Sequence, residues 1–144
     1  MSTRAAIGAV QPDGTIKAIY LHSDGYPSHA GAILAGWYKK PEQVNALLEL
    51  GSLSSIGEKL EPDQNKPHTF TNRQNDVVFA YHRDRGDELL PGIIYQNQDH
   101  FFQMAMEDFW ADYLYLFNDG EWQSYGLKGK NEWFRLEVEV CKQK

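Results

Sequence analysis

From Glu132 to Val140 the chain alternates without a break. Phe134, Leu136, Val138 and Val140 fall on one side; Trp133, Arg135, Glu137 and Glu139 fall on the other. A period of two puts successive side chains on opposite faces of a strand. One apolar face and one charged face is the mark of an antiparallel sheet with a wet side. The segment Ala30, Ile33, Leu34, Trp37 and Tyr38 keeps the helical spacing i, i+3, i+4, i+7, i+8 instead. A chain holding both periods, with strands in hairpins, reads as α+β. Its 144 residues fit one domain, a size that buries roughly 68–70% of the unfolded surface. The expectation is a single domain over residues 1–144: a mainly antiparallel sheet with an N-terminal hairpin and two to three helices packed on it.

Turn chemistry sets the order of elements. Ala6 to Val10 runs into Gln11-Pro-Asp-Gly14 and then a strand from Thr15 to Ser23, a hairpin by its Pro and Asp-Gly signals. Within that strand Lys17, Ile19, Leu21 and Ser23 share one face, and Ile16, Ala18, Tyr20 and His22 the other. Asp24-Gly-Tyr-Pro27 breaks it, with Ser28 as expected N-cap of the helix that follows. Pro41 opens a second helix that carries Val44, Leu47 and Leu48 inward and stops at Gly51. A turn-rich stretch follows to Gln74, longer than ordinary connections. A strand over Asp76–Arg83, a short strand at Ile93–Tyr95 and a helix from His100 to about Trp110 capped by Asp99 come next. Tyr113–Phe117 then turns at Asn118-Asp-Gly120 into Glu121–Tyr125, a second hairpin.

Bulk properties exclude several classes. One cysteine, Cys141, cannot make an internal disulfide. The first residues carry no signal-peptide core, and no run approaches the ~18 apolar residues of a membrane span. The expected compartment is the cytoplasm. A net charge of −6 argues against nucleic acid as a partner, which calls for a basic face. The Gly-x-Ser-x-Gly elbow, P-loop, His-Glu-x-x-His and dinucleotide fingerprint are absent, so no catalytic residue, metal or cofactor is assigned.

Two polar clusters remain as a candidate ligand site: His22, Asp24 and Tyr26 in the first, and Tyr81, His82, Arg83, Asp84 and Arg85 in the second. Both stand at expected strand ends, where functional groups collect. Guanidinium forks suit phosphate or carboxylate, so Arg83 and Arg85 can grip an anion while Tyr26 stacks on a ring. The competing reading pairs Arg83 and Arg85 with Asp84, Asp87 and Glu88 as an exposed charge network. The aromatics Tyr113, Tyr115, Trp122, Tyr125 and Trp133 read as core rather than as a stacking face.

Several short motifs recur in order: Ser2-Thr-Arg-Ala5, Tyr20-x-His22-x-Asp24-Gly-Tyr-Pro27, Gly51-Ser-Leu-Ser-Ser55, Ala80-Tyr-His-Arg-Asp-Arg-Gly86 and Tyr113-x-Tyr-Leu-Phe117. With these the chain resembles a family of small phage- and prophage-encoded proteins that has no assigned activity. The resemblance implies a viral accessory role, such as binding a host protein or a small anionic ligand, and supplies no catalytic residues. Two further expectations compete with binding. One is a small hydrolase or nucleotide-processing enzyme using His22 or His82 beside Asp24 or Asp84. The other is an assembly protein whose clusters merely brace turns.

Overall fold

The computed structural model describes residues 3–126 and 130–135. In chain order these form β1 (Ala5–Val10), β2 (Ile16–Leu21), a π-helical turn (Pro27–Gly31) continuous with α1 (Ala32–Trp37), α2 (Pro41–Glu49), β3 (Leu53–Ser55), β4 (Phe79–Ala80), α3 (Tyr81–Arg85), β5 (Ile93–Tyr95), α4 (Gln98–Phe109), β6 (Tyr113–Asn118), β7 (Glu121–Gly126) and β8 (Lys130–Arg135). The expected α+β domain is therefore present. Its sheet is mixed, with order β4-β3-β2-β1-β6-β7-β8 and β5 paired to β2 beside that path. Among the described residues, five of the seven strand pairings are antiparallel; β1 with β6 and β2 with β3 are parallel.

Both hairpins form where turn chemistry places them. Asp13 Oδ1 accepts from the Thr15 N–H and hydroxyl, and Gly14 takes φ 89°. At the second turn Asp119 and Gly120 both adopt positive φ, the requirement of a tight hairpin whose twist matches its strands. The last strand begins at Lys130; the alternating residues 136–140 and Cys141 lie outside the described residues.

The central strands are apolar on both faces because helices cover both. Ala5, Ile7 and Ala9 of β1, Ile19 and Leu21 of β2 and Tyr115 and Phe117 of β6 pack with Leu34, Tyr38, Val44, Leu47 and Leu48 of the α1–α2 corner. On the opposite face Ala6, Ile16, Ala18, Leu114 and Leu116 pack with Phe101 and Ala105 of α4. Tyr115 and Trp122 are buried, so these aromatics are core. A Cβ at Gly8 would stand 3.1 Å from Ile16 and 3.3 Å from Phe101; this glycine lets α4 settle on β1.

Four local expectations change. Pro27 takes the first helical position after Tyr26, and Ser28 caps nothing. The π-helical turn adds a residue to the helical ring, so Ala30, Leu34 and Tyr38 are buried while Trp37 is 54% exposed. Asn97, not Asp99, caps α4, accepting from the His100 N–H at 2.8 Å. The strand foreseen over Asp76–Arg83 shrinks to Phe79–Ala80, and Tyr81–Arg85 is helical. The alternation of His82 and Asp84 against Tyr81, Arg83 and Arg85 therefore does not hold.

Candidate functional site

The site grows from a split in the sheet. The outer edge of β2 is shared: β5 pairs with Ile16–Ala18, and β3 pairs with Leu21. Ile19 and Tyr20 lie between them. Strand alternation puts Tyr20 and His22 on the α4 face with Ile16 and Ala18. Beyond the end of α4's cover, the space between the diverging elements forms a groove with two compartments. One, of about 590 Å³, is lined by Arg4, Tyr20, Ser52, Leu90, Pro91, Ile93, Asp108, Phe109 and Trp110. The other, of about 460 Å³, is lined by Tyr20, His22, Ser52, Phe70, Tyr81, Arg85, Asp87, Glu88 and Leu90. Tyr20, Ser52 and Leu90 belong to both. Their dimensions lie within the range of small-ligand sites.

Tyr20 is the hub. Its ring stacks on Phe109, centroids 6.5 Å apart and planes 7° from parallel. Its hydroxyl lies 2.8 Å from His22 Nδ1, and Arg4 lines the same compartment. Burial holds the Tyr20 phenol above the usual tyrosine range, with Tyr81 adding to the rise and Arg4 opposing it. Tyr20 therefore stays protonated at neutral pH. Among the described residues no carboxylate forms an ion pair with Arg4. Its guanidinium lines a largely apolar groove.

The structure divides the expected site residues. His22, Tyr81 and Arg85 share the second compartment. Asp24 is an exposed turn residue with φ 57°. Tyr26 meets His29 ring to ring, centroids 6.0 Å apart. The turn carrying both is tied to the strands, the Gly25 N–H donating to Thr3 O and the Tyr115 hydroxyl to Gly25 O. His82 uses Nδ1 on the Asp87 carbonyl at 2.8 Å. Arg83 is a brace: it donates to Leu60 O at 2.6 Å and Val78 O at 2.9 Å, and forks onto both oxygens of Asp84. Asp84 in turn accepts from the Ala80 N–H at 2.8 Å. Arg85 pairs with Asp87 at 2.6 Å. Thus the two arginines chosen for an anion are both engaged by carboxylates, as the competing reading has it.

Arg4, Tyr20 and Trp110 were not foreseen as site residues. Tyr20 carried a signal, since i and i+2 on a strand share a face and His22 was already chosen. Arg4 and Trp110 are joined only by the parallel pairing of β1 with β6, in which Ala5 stands opposite Tyr113. The Arg4 carbonyl accepts from the Asp112 N–H at 2.8 Å, closing the link. Among the described residues no group of three or more His, Cys, Asp or Glu is placed to hold a metal ion, and no helix is long and apolar enough to cross a membrane. Comparison with family models, with characterised proteins and with solved structures finds no match.

Proposed function

We propose that this chain is a binding protein that captures a small anionic ligand in the groove at the open edge of β2, with Arg4 as the anion contact. The observation that carries the reading is Arg4, which among the described residues has no carboxylate ion pair, lining a largely apolar compartment together with Tyr20. A cation already partly desolvated by apolar neighbours loses less hydration when an oxyanion arrives. Tyr20 and His22 complete the polar wall. Hydrolysis has weaker support, because Nδ1 of His22 is taken by a protonated phenol and Asp24 stands apart in its turn. The resemblance to small phage and prophage proteins fits an accessory role in which such a ligand is sequestered in the host cytoplasm.

The test is to incubate the purified protein with bacterial lysate, wash it, and identify the retained small molecules by mass spectrometry. The wild type is expected to retain an acid-bearing small molecule. Arg4→Ala should lose it by about 10- to 100-fold, the range of a charge-assisted hydrogen bond. Equal retention by Arg4→Ala, or retention of nothing above background, refutes the reading.

A further inference from the structure

Trp110 occupies a position that stability alone would give to another residue. Helix α4 ends in a paired-hydrogen-bond cap: the Trp110 N–H donates to Glu107 O at 3.3 Å and the Ala111 N–H to Met106 O at 2.9 Å. This cap requires a left-handed residue directly after the helix, normally glycine and sometimes asparagine. Trp110 takes that conformation at φ 54°, ψ 40°. For a bulky side chain the left-handed region is strained. The indole recovers little of that cost by packing, because it is 77% exposed. Strain and exposure coincide where a side chain is retained for contact with something else. The same indole lines two cavities, and Arg4 lines both with it.

We infer that Trp110 is a ligand-binding residue, the stacking platform for a flat ring whose acidic substituent pairs with Arg4. This rests on the anion-binding reading above and narrows it. The ligand class is a ring-bearing oxyanion, of which a nucleoside monophosphate is a representative. Indole is the strongest π-face among side chains, and stacking on it tolerates any base. Phe109 and Tyr20 add two further rings to the lining of Arg4's compartment, whose walls are largely apolar and carry Ser52 and Asp108 as further polar residues.

The experiment measures binding of AMP, phenyl phosphate, benzoate and inorganic phosphate by calorimetry to the wild type, Trp110→Gly, Trp110→Asn and Arg4→Ala, with melting temperatures for all four proteins. At least one of the three ring-bearing probes should bind the wild type at least tenfold more tightly than inorganic phosphate does. Both Trp110 variants should lose about tenfold or more for any probe so bound, leave inorganic phosphate unchanged, and melt no lower than the wild type, glycine and asparagine being at ease in the cap. Benzoate against phenyl phosphate separates carboxylate from phosphate as the acid, and either one binding supports the inference. Unchanged affinity for that probe in the Trp110 variants, wild-type preference for inorganic phosphate, or a lower melting temperature in both Trp110 variants overturns the Trp110 role while leaving the Arg4 reading intact. Binding of no oxyanion to the wild type overturns both.

Discussion

At the scale of single residues, the arginines of this chain divide by what already holds them. Arg83 is bound on all sides by two carbonyls and the nearly buried Asp84. Removing one member of such a pair leaves a carboxylate without its counter-charge, a loss of about 3–5 kcal/mol. Arg83→Ala is accordingly expected to lower stability by about 3 kcal/mol in urea denaturation. At temperatures where it remains folded, its affinity for anionic probes should match the wild type. Reduced affinity without loss of stability would restore Arg83 to the site and sink the brace assignment. Arg4 has the opposite profile: among the described residues no carboxylate pairs with its guanidinium. The local sequence around Arg83 and Arg85 showed cations and carboxylates mixed, and that mixture was legible as a self-satisfied network. Nothing local to Arg4 marks it, because its neighbours arrive from distant parts of the chain, Tyr20 from β2 and Trp110 from just after α4.

At the scale of elements, the hairpins and helices α2 and α4 were readable because their causes are local: Asp-Gly turns, a Pro at the first helical position, an apolar stripe. The run Val77-Val-Phe-Ala80 also looked like the heart of a strand. It extends no further because Asp84 reaches back to the Ala80 N–H and turns the chain into α3, which Gly86 ends at φ 80°. His68 packs beside that closure, its Nε2 3.6 Å from Asp84 Oδ2 and 3.0 Å from Val78 O, while its Nδ1 accepts from the Gln74 N–H. The long connection after β3 is fixed by an alternating stack. The Arg73 guanidinium lies 4.4 Å from the Phe79 ring centroid and 4.6 Å from that of Phe70, and Arg85 lies 4.8 Å from both Phe70 and Tyr81. Arg73 also donates to Phe70 O and the Ser55 hydroxyl. Each cation–π contact contributes about 0.5–2 kcal/mol according to exposure. Arg73→Ala should therefore speed amide hydrogen exchange across residues 60–75 by about tenfold or more while the β1 and β6 amides keep their protection. Arg73→Lys should fall between, since an ammonium lacks the flat face that stacks between two rings. Exchange rising equally in the central strands would show that the stack serves global stability instead.

At the scale of the whole molecule, one architectural fact governs both core and groove: α1 and α2 cover one face of the sheet, and α4 covers the other, which leaves uncovered the stretch of β2 where β3 and β5 part. Covering both faces drives phenols into the interior, and that sets an alkaline limit on the fold. Burial is the leading reason that Tyr20, Tyr38 and Tyr95 all titrate above the ordinary tyrosine range; Asp108, which accepts the Tyr95 hydroxyl's hydrogen bond, adds to the shift there. Tyr38 donates to Gly57 O at 2.7 Å, a bond its phenolate could not make. In the unfolded chain these groups ionise near pH 10, by the reference value of about 10. Below that pH they are neutral in both states, and their contribution is constant. Above it the unfolded chain releases protons that the folded chain retains, so the unfolded state is favoured progressively as pH rises. The urea midpoint should thus be level between about pH 7 and 9 and fall from about pH 10 upward. Absorbance at 295 nm should show part of the eight tyrosines ionising only as the fold is lost. Tyr38→Phe removes one of these protons and should flatten the alkaline fall relative to wild type, at the cost of the Gly57 hydrogen bond at every pH. A native protein in which all tyrosines titrate reversibly near pH 10 would contradict the buried-phenol account, and with it the two-faced core from which the groove derives.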